Sequence, residues 1–225
     1  AAVSPAVASA LAGLGYDVQR VAGGNRYETA VAIAAATSAH PKKILVATGQ
    51  KSPDALSAGA VAAAQDDTVV VLTEDTAMPS ATASYLQGKA GAALYAIGGQ
   101  AKTALGTRTF TPLVGQTRYE TSYLVAHGMF GPLTAVGVAT GRDWPDALAG
   151  GAFMGTVGGP LLLVDPDAGV SAQAAAMLDA DRGSDNTAFV FGGRAVLPAS
   201  TDGRLAALIA TAAGVNVPNA VSRAA

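Results

Sequence analysis

The sequence predicts an α/β protein in which helices cover parallel sheets. Short runs of β-branched and aliphatic residues alternate with longer alanine-rich stretches that favour helices. The runs at 69–72 (VVVL) and 161–164 (LLLV) are apolar at every position. Strands that are apolar on both faces are typical of parallel sheets packed between helices. A third observation is that most of this pattern occurs twice.

Three motifs repeat in register, 92 positions apart. RYET at 26–29 returns at 118–121, ATG at 47–49 returns at 139–141, and PDAL at 53–56 returns at 145–148. A glycine pair, Gly98-Gly99, returns as Gly192-Gly193 with a drift of two positions. A unit of this length is too long for a solenoid repeat and has the size of a small domain.

The duplication divides the chain into two units with unmatched ends. We expect tandem Rossmann-like or flavodoxin-like modules, with unit 1 at 24–114 and unit 2 at 115–217. Residues 1–23 read as the final helix and strand of a preceding or permuted repeat, and 218–225 read as a polar tail.

The predicted elements follow the same order in both units. The leading piece is predicted as a helix at 4–14 and a strand at 17–22. Unit 1 is predicted to have helices at 26–39, 53–65, 79–89 and 100–105, and strands at 44–48, 68–73, 92–97 and 110–114. Unit 2 is predicted to have helices at 118–130, 145–157, 171–181 and 199–213, and strands at 135–140, 160–164, 187–191 and 215–217.

Composition excludes several function classes. The 225 residues are 50% hydrophobic and 13% charged, with a net charge of −2, which is unlike a nucleic-acid-binding domain. There is no cysteine, and neither of the two histidines has a metal-ligand spacing, so no metal site or cofactor is expected. No apolar run reaches the roughly 18 residues of a membrane span, so no membrane partner is expected.

The RYET motifs predict helix starts that carry an unexplained cation. Asn25 and Thr117 fit the capping position, and the glutamate three residues later completes a capping box. Arg26 and Arg118 fall in the first helical turn, where the macrodipole disfavours a cation by roughly 0.3–1 kcal/mol. Each arginine therefore needs an anionic partner. The partner is either an internal carboxylate, Asp54 or Asp146, or an anionic ligand held with the helix-start amides.

The other two motifs are expected at the same edge of the sheet. Pro53 and Pro145 suit the first position of a helix, which places Asp54 and Asp146 in the first turn. The glycine pairs close a strand, either for a tight turn or for close approach to a ligand. Because each motif follows a strand, all three gather at the carboxyl edge, where open α/β sheets bind ligands.

Unit 2 also has features that unit 1 lacks. Trp144, the only tryptophan, is either a stacking surface for a sugar ring or a covered edge. The DPD sequence at 165–167 is either a calcium loop or a turn. Evidence for catalysis is thin, because no G-x-S-x-G motif occurs and Ser57 is replaced by Ala149 in the second unit.

These residues resemble the cell-wall-binding repeat type 2 family. The pattern R-x-x-G-x-[DN]-R-[YF]-x-T-A starts at Arg20 and continues through PDAL at 53–56, an apolar strand and Gly98-Gly99. The second unit follows the same order from 114 to Gly193. Two departures are visible: there are two complete units where the family usually has three, and Pro112 stands where unit 1 has Arg20.

The resemblance implies a non-catalytic module of an exported protein that binds an anionic secondary cell-wall polymer of a Gram-positive bacterium. Further repeat units or other chains would complete a three-module assembly. The candidate ligand-binding residues are Arg26, Arg118, Arg20, Asn25, Thr117, Asp54, Asp146, Gly98, Gly99, Gly192 and Gly193. Two alternatives are a structural module for protein–protein assembly at the cell surface and, less favoured, a hydrolase acting on nucleotides or sugars.

Overall fold

The computed structural model describes residues 3–50, 53–181, 186–209 and 221–223. Helix α1 (Pro5–Gly13) comes first, and two units with the same order of elements follow. Unit 1 consists of α2 (Arg26–Thr37), β1 (Lys43–Thr48), α3 (Pro53–Ala64), β2 (Thr68–Thr73), α4 (Ser80–Gln87), β3 (Ala93–Ile97), α5 (Gly99–Leu105) and β4 (Thr111–Leu113). Unit 2 consists of α6 (Arg118–Met129), β5 (Ala135–Thr140), α7 (Pro145–Val157), β6 (Leu161–Val164), α8 (Ala172–Ala180), β7 (Thr187–Phe191), α9 (Ala199–Ile209) and β8 (Val221–Arg223).

Each unit contains a four-stranded parallel sheet. The strand order is β2-β1-β3-β4 in unit 1 and β6-β5-β7-β8 in unit 2. The order reverses between β1 and β3, and again between β5 and β7. Such a switch point opens a crevice outside the carboxyl ends of the strands. The predicted α/β fold, with parallel sheets flanked by helices in two repeated modules, is confirmed.

The central strands are buried on both faces, as their apolar sequence predicts. Ile44, Leu45 and Val46 of β1 are all 0% exposed. Ile44 and Val46 face α2, α4 and α5, whereas Leu45 faces α3 and α6. Side chains that alternate between two buried layers explain why the strand carries no polar residue at these positions.

The two units share helices at their junction. In α3, Ala58 and Val61 belong to the core of unit 1, whereas Leu56 and Ala60 belong to the core of unit 2. Helix α6 of unit 2 likewise contributes Val125 to the core of unit 1. The junction is therefore a continuous apolar core and not a linker between two separate domains.

The two ends of the chain differ from the prediction. Residues 17–22 form no strand, because no described strand lies beside them, and α1 has no buried residue. The predicted polar tail 218–225 is wrong at 221–223, where β8 pairs with β7. The strand predicted at 215–217 lies outside the described residues.

The close packing of α3 on α7 requires a glycine. A Cβ placed on Gly155 would collide with the Cβ and backbone of Ala63 on α3. We expect Gly155→Ala to lower the free energy of unfolding by about 1–3 kcal/mol, because neither atom lies at the end of a flexible side chain. Thermal or urea unfolding monitored by circular dichroism measures this change.

Gly59→Ala is the matched control for this substitution. Gly59 is exposed on α3, and nothing lies within 4 Å of a Cβ built there. Alanine should raise the free energy of unfolding by about 0.5–1 kcal/mol, because it restricts the unfolded chain and favours helix. Equal effects of the two substitutions would contradict the proposed steric constraint.

Candidate functional site

Each RYET arginine ties the start of a helix to the end of a strand. Arg26 Nη1 donates to the carbonyl oxygen of Gly49 at 2.6 Å, and Arg118 Nη1 donates to that of Gly141 at 2.6 Å. The two glycines directly follow β1 and β5 and complete the ATG motifs. The RYET and ATG motifs therefore repeat together, because the arginine side chain of RYET binds the glycine carbonyl of ATG.

The predicted ion pairs of these arginines with Asp54 or Asp146 are not formed. Within the described residues neither arginine lies within 4.0 Å of a carboxylate oxygen. The glycine carbonyl takes the place of the carboxylate, since it offers a partial negative charge at the right distance. Arg118 still acts on Asp54 through space, as the pKa of that aspartate records below.

The helix starts contain the predicted caps. The Asn25 side chain accepts two first-turn amides of α2, and the Thr117 hydroxyl accepts the amide three residues on. Glu28 and Glu120 each reach back past the cap and accept the N–H of the residue before it. The glutamates therefore close the turn that leads into each helix, one residue earlier than a simple capping box predicts.

The tyrosines of the RYET motifs are packing residues. Tyr27 is 9% exposed, and its ring lies 3.1 Å from the position that a Cβ on Gly49 would occupy. The Tyr119 ring lies even closer to the corresponding position on Gly141. A side chain at either glycine would push the tyrosine and the arginine away from the strand end.

The PDAL and double-glycine motifs also meet in both units. The backbone of Gly98 has a φ of +84°, and that of Gly192 has a φ of +123°, which favours glycine at both positions. Any Cβ on Gly98 would collide with the Asp54 carboxylate, and one on Gly192 would lie 2.8 Å from Asp146 Oδ2. These glycines therefore allow an aspartate of the protein, and not a ligand, to lie close to the backbone.

Several predicted site residues gather in one groove between the units, which we call the junction groove. Asp54 and Gly99 of unit 1 line it from one side, and Thr117 and Arg118 of unit 2 line it from the other. Its volume is about 180 Å³. Motifs that are 64 residues apart in sequence, at Asp54 and Arg118, thus form a single site at the carboxyl edge of the first sheet.

Asp54 is the titratable group that this groove perturbs most. Burial raises the pKa of Asp54 from its ordinary 3.8 to about 6, although the Arg118 charge and a contact with Thr121 both act to lower it. The charged form loses water when unit 2 covers α3, and the nearby cation offsets only part of that loss.

The remaining predicted residues lie elsewhere. Arg26 and Asn25 are exposed and do not line the groove, although Arg26 contacts the end of β1. Asp146, Gly192 and Gly193 lie at the carboxyl edge of the second sheet. Arg20 donates to the carbonyl oxygen of Val3 at 3.1 Å and contributes nothing to the groove.

Sequence reasoning singled out the DPD segment at 165–167 but missed Arg142, which joins it in a charged cluster at the edge of the second sheet. Arg142 Nη2 lies 2.8 Å from Asp165 Oδ1 and 2.6 Å from Asp167 Oδ2. The backbone N–H groups of Asp167 and Ala168 donate to the Asp165 carboxylate and hold its pKa below the ordinary value. The hydrogen bonds from the backbone to Asp165 are those of a turn, and no group of three or more His, Cys, Asp or Glu side chains that could hold a metal ion occurs among the described residues.

Ser57 is not placed as a nucleophile. It is 1% exposed, and its Oγ has no hydrogen-bond partner among the described residues, so no base contacts it.

Comparison with known families identifies this framework. The sequence profile described as "Cell wall binding domain 2 (CWB2)" matches residues 20–104 and 113–202, which is more than half of the chain. The chain belongs to the cell wall binding domain 2 family. The two matched segments correspond to the two units, and each contains the arginine, proline–aspartate and glycine motifs described above.

Individual relatives share the fold over part of their length. The chain is 29% identical over 153 residues to N-acetylmuramoyl-L-alanine amidase LytC of Bacillus subtilis, covering 66% of this chain and 30% of that protein. The structure of Cwp6 from Clostridium difficile superposes with a TM-score of 0.74 at 22% identity, covering 84% of this chain and 31% of that one. Cwp8 from the same organism gives 0.73 at 19% identity, covering 90% and 34%.

Family membership establishes a cell-wall-binding domain. The chain spans about a third of the length of these relatives. Across the ranges that the structure describes, no helix is both long and apolar enough to cross a bilayer.

The raised pKa of Asp54 predicts how stability depends on pH. The folded protein holds the proton more tightly than the unfolded chain, so this stabilisation is present at low pH and is lost as pH rises from about 4 to 6. At pH 7.5 we expect Asp54→Asn to raise the free energy of unfolding by up to about 3 kcal/mol relative to the unsubstituted protein. Urea unfolding of both proteins at several pH values measures the difference.

The informative quantity is the difference between the two proteins in the free energy of unfolding at each pH, because the other carboxylates titrate equally in both. Asparagine keeps the size of the side chain beside Gly98. If this difference stayed constant from pH 4 to 7.5, the burial assigned to the Asp54 carboxylate would be contradicted.

Proposed function

We propose that this chain is a non-catalytic anchoring module that holds an exported protein at the wall of a Gram-positive bacterium by binding an anionic secondary cell-wall polymer. Its membership of the cell wall binding domain 2 family carries this proposal. The junction groove is the proposed binding site.

Arg118 supplies the positive charge of the proposed site. Only its Nη1 donates to Gly141, so the other guanidinium donors can face a phosphate or carboxylate in the groove. The groove also lies at the start of α6, where the helix dipole favours an anion.

Asp54 makes this site sensitive to pH. Its ionised carboxylate opposes an anionic ligand, and protonation below a pKa of about 6 removes that charge. Binding should therefore strengthen under mildly acidic conditions, provided that the polymer keeps its own charge.

Helices α2 and α7 expose surfaces that are buried in the junction on their counterparts, α6 and α3. Leu56 on α3 is 8% exposed inside the junction, whereas its counterpart Leu148 on α7 is 56% exposed. Val125 on α6 is 1% exposed, whereas its counterpart Ile33 on α2 is 51% exposed. These open faces favour a further module that contacts both α7 and α2, as the three-module assembly requires.

The leading segment supports the same assembly. The N–H of Gly23 donates to Thr29 Oγ1 at 3.0 Å, and the N–H of Gly115 donates to Thr121 Oγ1 at 3.2 Å. The connection from residues 17–22 to α2 therefore has the same hydrogen bond as the connection from β4 to α6. We infer that they would form the fourth strand of a companion sheet, which would place Arg26 in a second groove.

The principal test is co-sedimentation with purified Gram-positive sacculi. We expect binding to fall at high salt and to disappear when the secondary polymers are stripped, because a polyanion held by arginine is screened by ions. Arg118→Ala should weaken binding about tenfold, the size expected for lost hydrogen bonds to a charged group.

Arg26→Ala is the matched control, because it removes the same bond to a glycine carbonyl outside the junction groove. It should change binding little in this chain, and circular dichroism should show that both variants are folded. Equal losses in the two variants, or binding that survives stripping of the polymers, would contradict the proposed site.

A second candidate function is protein–protein assembly, which the open faces of α2 and α7 favour. In that case the chain should self-associate without polymer, and Leu148→Gln should reduce the association because it removes apolar area from the contact. Light scattering coupled to size-exclusion chromatography measures the mass across a concentration series.

Val196→Gln is the control for this measurement, since Val196 is exposed in the loop before α9 and lies neither on α2 or α7 nor in the leading segment. A monomer at every concentration would exclude a second copy as the covering partner. An equal effect of both substitutions would place the contact elsewhere.

A further inference from the structure

Unit 2 contains a pocket that has no counterpart among the described residues of unit 1, and we call it the second-edge pocket. It lies at the carboxyl edge of the second sheet, where Arg142, Asp143, Asp167 and Arg194 line a volume of about 390 Å³. Volumes of this size are usual for small-molecule sites.

A longer loop in unit 2 creates this pocket. In unit 1, α5 begins directly after Gly98, whereas seven residues, 192–198, separate β7 from α9. Gln50 stands where unit 2 has Arg142, and it donates to the Tyr27 hydroxyl. The second-edge pocket is therefore an addition to the shared framework and is separate from the junction groove.

The walls of the pocket are held in place before any ligand arrives. Arg142 is fixed through Nη2 by Asp165 and Asp167, while its Nη1 and Nε are not used in these contacts. The loop that carries Arg194 is anchored by Leu197, which is 0% exposed. Such preorganisation lowers the entropy lost on binding.

The charges in the pocket favour a ligand with both donors and acceptors. Arg142 and Arg194 are balanced by Asp143 and Asp167, so a simple anion would meet repulsion as well as attraction. Sugar hydroxyls can donate to carboxylates and accept from guanidinium groups at the same time.

An exposed tryptophan is the next residue in sequence after one of these charged groups. Trp144 directly follows Asp143 at the start of α7 and is 55% exposed. Its face offers an apolar surface for the C–H side of a pyranose ring. We propose that the second-edge pocket, together with Trp144, binds a neutral or N-acetylated pyranose of a glycan. This subsite would be found in unit 2 alone.

The inference rests on the proposed function only for the source of the sugar, a wall glycan. It does not depend on Arg118, because the junction groove and the second-edge pocket share no residue. The two proposals can therefore fail separately.

Fluorescence of Trp144 tests the subsite directly, because the chain contains one tryptophan. The full chain is titrated at constant ionic strength with glucose, rhamnose, N-acetylglucosamine, N-acetylmannosamine and inorganic phosphate. Titrations run to about 100 mM, a hundred times the roughly 1 mM dissociation constant of a weak ligand. We expect a saturable change in emission with at least one sugar and none with phosphate.

Variants assign the response to the pocket. Arg194→Ala and Asp143→Asn should each weaken sugar binding about tenfold, as expected for a lost hydrogen bond to a charged group. Both residues are exposed, and asparagine retains the acceptor for the Trp144 amide, so folding should be unaffected. Lys102→Ala, which removes an exposed cation from α5, should change nothing.

Failure of all four sugars to change the emission would overturn the proposal. A response to phosphate alone, or sugar binding that survives both pocket substitutions, would also overturn it. Loss of sacculus binding in Arg118→Ala with no response to sugars would retain the proposed function and reject the subsite. A response to sugars without any sacculus binding would retain the subsite and reject the proposed function.

Discussion

The hydrogen bond from each RYET arginine to a glycine carbonyl is the constraint on which the carboxyl edge of each sheet depends. It fixes the start of α2 over the end of β1 and the start of α6 over the end of β5. Gly49 and Gly141 must lack side chains, because a tyrosine and the arginine occupy that space. The ATG and RYET motifs contact each other, as do the PDAL and double-glycine motifs. Their repetition is therefore explained first by the structure of each unit and not by a ligand.

The junction between the units turns this framework into a site. Helix α3 belongs to both cores, so unit 2 covers the start of α3 and removes water from Asp54. The raised pKa of that carboxyl is therefore a property of the assembled pair. A single unit would contain every motif but would lack the opposite wall that Thr117 and Arg118 supply.

The sequence was sufficient to predict the fold class, because strands buried on both faces leave an unambiguous apolar signal. It could not distinguish Arg26 from Arg118, since the two motifs are nearly identical. The structure separates them, because only Arg118 has a neighbouring unit that places Asp54 beside it. The wrong prediction of a strand at 17–22 has the same origin, the lack of a neighbouring unit. Its composition favours a strand, but a strand also needs a neighbour with which to exchange hydrogen bonds.

The framework also constrains where specificity can reside. Repeated residues that bond the protein's own backbone, or fill its core, are committed to the shared framework and are therefore alike in both units. Arg142, Trp144 and Arg194 are under no such constraint, because they are exposed and differ from their unit 1 counterparts. Arg142 and Arg194 also line the pocket beside the longer loop of unit 2. If the common junction supplies attraction to a charged polymer, recognition of a particular sugar requires residues of this unrepeated kind. Division of the two tasks between different residues allows either one to change while the sheet and its junction remain intact.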